Sequence, residues 1–196
     1  MDIICVTNRK LCKGDFLCRI EEIAREHPRA IVLREKDLDA KEYKALAREV
    51  ISIGDTYDTD VILHNYVDVA SELDHRQIHL PLWRLSDMER SDTKGFEVLG
   101  ASCHSVEDAK LAESLGCTYI FAGHIFDTDC KKGLPGRGLG FLKSVIDDVD
   151  IPVYAIGGID SENAHEVIKL GAQGVCIMSG LMKCDDVHEY FEGFRV

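Results

Sequence analysis

The chain has 196 residues, enough to bury one large core, and its 45% hydrophobic and 30% charged residues are ordinary for a soluble globular protein. Its formal net charge of −12 argues against binding to nucleic acid or to an anionic membrane, so any bound phosphate would need a local basic pocket. No apolar run approaches the ~20 residues of a membrane span and the first residues show no signal pattern, so we expect a cytoplasmic protein.

The cysteines agree with this location. The eight cysteines include no C-x-x-C pair, and several, such as Cys5 and Cys176, lie within apolar runs. We interpret them as reduced thiols that fill core positions, with disulfide and zinc roles as the alternatives.

Short apolar runs alternate with helical patterns along the first half of the chain. The pattern predicts strands at 3–7, 30–33, 61–64 and 77–80, and helices at 16–25, 40 to about 53, 67–72 and, weakly, 83–89. Asp15 and Asp39 are the expected N-caps of the first two helices.

The second half repeats this alternation more clearly. Strands are predicted at 98–102, 118–122, 152–156 and 174–178, and helices at 106–115, about 139–149, 162–170 and after Asp185. Ser105 and Ser161 are the expected N-caps, and Gly116 and Gly171 are the expected helix stops.

Eight strand–helix units predict a closed (β/α)8 TIM barrel, formed by a single domain over residues 1–196. A doubly wound open sheet is the main alternative. Its dinucleotide-binding version is weakened because no G-x-G-x-x-G follows the first strand.

The run from Gly123 to Gly138 is the most informative loop. It contains four glycines, the adjacent pair Lys131 and Lys132, and His124 directly after a predicted strand. Glycines allow a backbone to approach a ligand closely, the cations suit an anion, and a histidine suits proton transfer near neutral pH. We expect this loop to be functional and His124 to be catalytic.

Other polar residues also follow predicted strands, where barrel active sites lie. Among them are the histidines His64, His79, His104 and His124. The first two could equally pack in the core, and His104 could only help to start a helix. A metal site built from all four lacks an evident carboxylate partner.

Two small-residue turns predict a phosphate site. Gly157 and Gly158 follow the seventh strand and Met178-Ser179-Gly180 ends the eighth, where many barrels bind phosphate with backbone N–H groups. Arg34, Lys36 and Lys131 would add positive charge, although each could also be a solvated surface cation.

These residues carry a family resemblance over nearly the whole chain. The chain resembles the thiamine phosphate synthase/TenI superfamily in five segments: Leu33-Arg34-Glu35-Lys36, His64-Asn65 with Val67-Asp68-Val69-Ala70, Ile78-His79-Leu80, Gly100-Ala101-Ser102-Cys103-His104-Ser105 and Ala155-Ile156-Gly157-Gly158-Ile159. Within it, the run from Gly123 to Gly133 looks like the thiazole tautomerase branch, TenI.

The same resemblance exposes departures from the synthases, which join a pyrimidine diphosphate to thiazole phosphate with magnesium held by two aspartates. Tyr66 follows Asn65 where an Asn-Asp pair is usual, and the segment after His79 offers no carboxylate. The usual glutamine two residues before Arg34 and the second threonine of a Thr-x-Thr-Lys contact are also absent, and His124 replaces a usual proline. Synthase activity is therefore not the first expectation.

The resemblance implies a thiazole tautomerase-like isomerase, which aromatises a thiazole carboxylate phosphate by proton transfer and needs no cofactor and no metal. The alternatives are a thiamine phosphate synthase and a non-catalytic protein that binds thiazole phosphate or thiamine phosphate. The expected partner is a small thiazole phosphate, not nucleic acid or membrane, and a homodimer is left open. The implied catalytic residues are His124 and His104, and the implied substrate-binding residues are Arg34, Lys36, Asn65, Lys131, Gly157, Gly158, Met178 and Ser179.

Overall fold

A computed structural model describes residues 1–131 and 133–195, and in this part of the chain eight parallel strands follow one another in the order β1 to β8 around a closed barrel. The strands are β1 (Asp2–Val6), β2 (Ala30–Leu33), β3 (Val61–His64), β4 (Gln77–Pro81), β5 (Val98–Cys103), β6 (Tyr119–Gly123), β7 (Val153–Ile156) and β8 (Gly174–Ile177). The predicted (β/α)8 barrel is confirmed, and the open-sheet alternative is wrong because the sheet closes.

Helices separate the strands. They are α1 (Phe16–Arg25), α2 (Ala40–Tyr57), α3 (Val67–Glu72), α4 (Leu82–Ser86), α5 (Arg90–Thr93), α6 (Val106–Ser114), α7 (Gly138–Asp148), α8 (Ala164–Lys169), α9 (Ser179–Lys183) and α10 (Val187–Glu192). No helix in the described ranges combines the length and the apolar character that crossing a membrane requires.

The chain forms two compact units. The central unit comprises residues 1–2 and 79–176, and the N-terminal unit comprises residues 3–78 with the segment from Ile177 onward. Each unit has its own buried strands and its own set of polar residues at strand ends.

In the N-terminal unit, β1, β2 and β3 pair in parallel, with Cys5 opposite Ile31 and Ile31 opposite Val61. Helix α1 packs on α2 and buries Ile20 and Ile23 completely. Burial of a side chain of that size contributes about 1.5–3 kcal/mol, so these apolar stripes position the helices behind the strands.

The helix starts in this unit follow the sequence expectations. The carboxylate of Asp15 accepts a hydrogen bond from the N–H of Cys18, and Asp39 forms a capping box with Glu42 at the start of α2. Helix α2 continues to Tyr57, past the predicted end near residue 53, because Val50 and Gly54 remain buried on its inner face.

In the central unit, β5, β6, β7 and β8 pair in parallel. The register places Ser102 opposite Phe121, Phe121 opposite Tyr154, and Gly123 opposite Ile156. Ser105 caps α6 as predicted, since its hydroxyl accepts from the N–H of Asp108.

Three details of the helices differ from the predictions. Ser161 is not the N-cap of α8: Asn163 occupies that position, and the Asp160 carboxylate accepts from the N–H groups of Glu162 and Asn163. The weak helix predicted at 83–89 ends earlier, as α4 at Ser86, and the short helix α5 follows from Arg90. Helix α9 was not predicted at all.

The cysteines are free thiols, and Cys5, Cys103, Cys117 and Cys176 are buried. Burial raises the pKa of the Cys117 thiol to about 12 and raises that of Cys103 as well, because the thiolate would lose its hydration. These two residues therefore act as small apolar core residues.

Candidate functional site

His124 begins the loop between β6 and α7 and is only 6% exposed. Its Nε2 lies 3.2 Å from the carbonyl oxygen of Leu134. Its Nδ1 is buried without a hydrogen-bond partner among the described residues. A carbonyl can only accept, so a neutral imidazole here carries its proton on Nε2 and leaves Nδ1 as an acceptor. A buried acceptor without a partner is costly unless a ligand or water supplies a donor.

The turn at Gly157 and Gly158 packs against the segment that begins with His124. The N–H of Ile125 donates to the Ile156 carbonyl and that of Phe126 to the Gly157 carbonyl, at 3.0 Å each. Both glycines have positive φ, at 100° and 68°. A Cβ on Gly157 would lie 2.3 Å from the Cβ of His124, so the turn must lack side chains for the loop to pack against it.

Successive backbone N–H groups in a turn can form a concavity that binds anions. The geometry at Gly157 and Gly158 is therefore compatible with the predicted phosphate contact, and it adds a structural role that the sequence pattern did not reveal.

His104 lies beside the same loop but is exposed. Its Nδ1 lies 2.7 Å from the carbonyl oxygen of Gly123, and its own N–H donates to the Asp108 carboxylate at 2.7 Å. His104 thus contacts the peptide group that precedes His124. His104, which follows β5, therefore lies beside the start of the loop that follows β6 and contains His124.

The rest of the loop borders an open depression of about 560 Å³, within the size range of small-molecule sites. Its lining includes Asp127, Thr128 and Lys131. The Asp127 carboxylate accepts from the N–H of Gly136 at 2.7 Å, which closes the loop on itself. Lys131 is partly buried, whereas Lys132, the other cation of the pair, lies outside the described residues.

In the N-terminal unit, the structure brings Arg34 and Met178 together. The Arg34 guanidinium lies 4.0 Å from the Met178 sulfur, and its backbone N–H donates to the Thr7 hydroxyl at 2.9 Å. Thr7 in turn donates to the buried Glu35 carboxylate at 2.7 Å. Ser179 begins α9 directly after Met178.

Glu35 anchors this arrangement rather than facing a ligand. It is 2% exposed and accepts from the Arg9 backbone N–H and guanidinium as well as from Thr7. Lys36, its neighbour, is exposed, so the two residues after Arg34 have opposite environments. Asn65 is partly exposed and adopts a left-handed φ of 71°, which asparagine tolerates well.

The two histidines left open by the sequence have distinct surroundings. The backbone N–H of His64 donates to the Tyr43 hydroxyl at 2.8 Å, and Tyr43 donates to the Leu33 carbonyl at 2.6 Å. His79 is 1% exposed and lies between two hydroxyls, those of Tyr119 and Ser102. The sequence reasoning did not identify either hydroxyl as a partner of a histidine.

The residues at the expected magnesium positions do not fit a magnesium ion. Tyr66 stands where a carboxylate is usual, its hydroxyl donates to the Leu38 carbonyl, and its ring stacks on Tyr43 with centroids 4.3 Å apart. Across residues 1–131 and 133–195, no group of three or more His, Cys, Asp or Glu side chains is placed to hold a metal. Magnesium prefers oxygen ligands in a near-octahedral arrangement, which this position does not supply.

Closed parallel barrels with polar groups after their strands are typically enzymes, and this chain falls in that class. A family model described as thiamine monophosphate synthase matches residues 3–181. The chain therefore belongs to the thiamine monophosphate synthase family, and it is an enzyme of thiamine biosynthesis.

Individual relatives give the same result. The thiamine-phosphate synthase of Clostridium acetobutylicum is 31% identical over 190 residues, covering 94% of this chain and 88% of the relative. That of Fusobacterium nucleatum is 33% identical over 195 residues, covering 97% and 93%. A solved thiamine phosphate pyrophosphorylase from Pyrococcus furiosus is 30% identical with a TM-score of 0.85, covering 99% of this chain and 93% of that one.

These findings correct the expected activity. The tautomerase prediction depended mainly on the run from Gly123 to Gly133, whereas relatives that match almost the whole chain are named thiamine-phosphate synthase. The prediction of a thiazole tautomerase is therefore wrong, and the alternative given beside it fits better. A short loop motif carried less weight than similarity spread over the entire barrel.

Proposed function

We propose that this protein is a thiamine-phosphate synthase, a transferase that joins a hydroxymethylpyrimidine diphosphate to a thiazole phosphate. The supporting observation is the similarity, at about one third identity over nearly the full length, to proteins that carry this name. In this reaction a carbon–oxygen bond to the diphosphate breaks, a bond from the same carbon to the thiazole nitrogen forms, and diphosphate is released.

The reaction requires groups that bind two anions, and the protein as a whole is acidic, with a net charge of −12. In the central unit, the turn at Gly157 and Gly158 offers backbone N–H groups, and Lys131 borders the loop depression. We assign these residues to phosphate binding. Backbone donors suit this role because they are held in place before the ligand arrives and lose little freedom on binding.

In the N-terminal unit we assign Arg34 to an anionic group of a substrate. Hydrogen bonds through Thr7 and the buried Glu35 hold its backbone, so the guanidinium starts from a fixed point beside Met178. The other assignments here are Lys36, Asn65, Met178 and Ser179, which follow β2, β3 and β8. The contribution of each of these residues, and of Arg34, is tested by alanine substitution in the coupling assay described below.

His124 is assigned as a substrate contact. Because the Leu134 carbonyl holds the proton on Nε2, the buried Nδ1 can accept a hydrogen bond from a donor on a bound substrate, such as an amino group. His104 supports the loop through the Gly123 carbonyl and takes a supporting role.

The test is a direct coupling assay. The purified protein is incubated with hydroxymethylpyrimidine diphosphate and thiazole phosphate, with and without magnesium, and thiamine phosphate is measured after oxidation to its fluorescent thiochrome form. We expect product formation proportional to protein concentration. Absence of product in both conditions, at protein concentrations equal to those of the substrates, would contradict the proposal.

His124→Ala tests whether His124 contacts the substrate. Loss of one buried hydrogen bond corresponds to about 1–3 kcal/mol, so kcat/KM should fall roughly 5- to 150-fold. The matched control is His165→Ala, since His165 is an exposed histidine on α8. Equal activity of the two variants would remove His124 from the site.

A further inference from the structure

The central unit contains a buried hydrogen-bonded chain formed by Tyr119, His79 and Ser102, to which no role in the proposed reaction has been assigned above. His79 on β4 is 1% exposed, its Nδ1 lies 3.0 Å from the Tyr119 hydroxyl, and its Nε2 lies 2.8 Å from the Ser102 hydroxyl. Its ring also lies against Phe121, with centroids 4.2 Å apart. Both ring nitrogens are therefore engaged and the ring plane is held by packing.

This chain is built into the strands. Gly100 and Ser102 project from the same face of β5, because side chains two residues apart in a strand share a face. A Cβ on Gly100 would lie 2.1 Å from Cζ of Tyr119 and 2.4 Å from its hydroxyl oxygen. The missing side chain at Gly100 thus makes room for the Tyr119 ring, and this places its hydroxyl beside His79.

A neutral imidazole has one donor nitrogen and one acceptor nitrogen, whereas each hydroxyl can both donate and accept. Two arrangements therefore satisfy the chain. In one, Tyr119 donates to Nδ1, Nε2–H donates to Ser102, and the Ser102 proton is free to point away from His79. In the other, Ser102 donates to Nε2, and Nδ1–H donates to Tyr119. The two arrangements hold the same number of protons and the same net charge, and they differ in the His79 tautomer and in the direction of each hydroxyl. We call Ser102, His79 and Tyr119, joined in this way, the relay.

Ser102 is the outer end of the chain, since it is partly exposed while His79 is almost fully buried. It also lies near the end of β5, one residue before Cys103 and two before His104. A hydroxyl there can donate to an acceptor on a ligand in the first arrangement and accept from a donor in the second.

We propose that Tyr119 and His79 are positioning residues that set the direction of the Ser102 hydroxyl toward bound substrate. This inference rests on the proposed synthase function for its kinetic consequence, but its ligand-binding consequence is independent of turnover. His79 and Tyr119 act through Ser102 and do not themselves contact substrate.

The experiment is a double-mutant cycle with Tyr119→Phe and Ser102→Ala. Tyr119→Phe keeps the ring over Gly100 and removes only the hydroxyl. We expect Ser102→Ala to lower kcat/KM by roughly 10-fold or more and Tyr119→Phe by roughly 3- to 10-fold. In the Ser102→Ala background, Tyr119→Phe should have less than about a 2-fold further effect, because the group through which it acts is gone.

Tyr154→Phe is the matched control. Tyr154 and Tyr119 are both 6% exposed and their rings meet edge to face at 5.9 Å, but the Tyr154 hydroxyl donates to Asp2. We expect Tyr154→Phe to leave kcat/KM within about 2-fold of wild type, as for a hydroxyl outside the relay. Thermal unfolding of each variant shows whether it is folded. An effect of Tyr119→Phe that equals that of Tyr154→Phe, or that is the same in both Ser102 backgrounds, would overturn the relay.

A second readout keeps the relay testable if coupling activity is absent. The ¹⁵N shifts of the His79 ring report its tautomer and are recorded with thiamine phosphate or inorganic diphosphate added, while calorimetry measures binding. We expect binding of at least one probe to change these shifts in the wild type and not in Ser102→Ala. Binding without such a change would overturn the relay, and no binding of either probe would overturn it too. Absence of coupling with the shift change retained would reject only the synthase function.

Discussion

Gly157→Ala tests whether the turn after β7 is a packing element of the His124 loop. Gly157 has a φ of 100°, and an added Cβ would lie 2.3 Å from the Cβ and 2.9 Å from the Cα of His124. Because one of these atoms belongs to the backbone, a side-chain rotation cannot relieve the overlap. Either the loop or the turn must move.

The magnitude has two parts. An L-residue at positive φ costs roughly 1–2 kcal/mol. Overpacking of a filled region costs about 1–3 kcal/mol more. The free energy of unfolding should therefore fall by about 2–5 kcal/mol in total.

Gly116→Ala isolates the first part. Gly116 has a similar φ of 91°, but an added Cβ there has no neighbour within 4 Å. Urea unfolding followed by circular dichroism gives both free energies, provided that the dependence on urea is unchanged between variants. We expect Gly157→Ala to be less stable than Gly116→Ala by about 1–3 kcal/mol. Equal destabilisation would show that the turn and the His124 loop are not packed as described.

Three further predictions concern other parts of the molecule. A thiol reagent at pH 8 should label exposed Cys130 rapidly in the native protein and buried Cys117 only after unfolding, because burial raises the Cys117 pKa to about 12. Peptide mass mapping distinguishes the two cysteines, and labelling of Cys117 in the native protein would contradict its burial. Burial opposes ionisation of Asp60, but hydrogen bonds from Gln77 and Arg29 outweigh it and lower its pKa. The stability that comes from this lowered pKa is present above the unfolded-state pKa of about 4 and is lost as the pH falls through the folded-state pKa. Unfolding titrations of Arg29→Ala should therefore show less acid destabilisation than those of the wild type, by up to about 1 kcal/mol for a partly exposed pair. Finally, Mn²⁺ added to the substrate-free protein should keep the electron paramagnetic resonance spectrum of the aqueous ion, and loss of that signal at micromolar protein would show a metal site that the geometry does not predict.

The sequence was most informative where structure depends on neighbouring residues. Asp15, Asp39 and Ser105 were predicted as caps because each precedes an amphipathic run by one position, and each accepts the expected backbone hydrogen bond. The alternation of such helices with apolar runs then sufficed to predict the closed barrel.

Prediction failed where two local signals competed. Ser161 and Asn163 are both good capping residues; Asn163 occupies the N-cap position, and the Asp160 carboxylate accepts from the N–H groups of Glu162 and Asn163 before the helix begins. Helix α9 was hidden because Met178-Ser179-Gly180 reads as a strand end followed by a turn.

The candidate site shows the same limit at longer range. Periodicity placed His79 at the end of a strand but could not decide whether it packs or binds. Its partners, Tyr119 and Ser102, are 40 and 23 positions away, and the space for the Tyr119 ring depends on the absence of a side chain at Gly100. Only the register of the strands brings these residues together.

Position 66 illustrates how the family pattern and the structure must be weighed together. The resemblance alone reads Tyr66 as a lost magnesium ligand and thus as evidence against synthase chemistry. In the structure, the Tyr66 hydroxyl donates to the Leu38 carbonyl and its ring stacks on Tyr43, a contact worth roughly 0.5–1.5 kcal/mol beyond its buried area. Tyr66 therefore packs the segment after β3 against α2. In the proposed reaction, the charge of the departing diphosphate must therefore be balanced by the backbone N–H groups and cations that follow the strands. We expect Arg34→Ala to weaken diphosphate binding more than removal of magnesium does. Calorimetry with diphosphate, with and without a chelator, measures both effects.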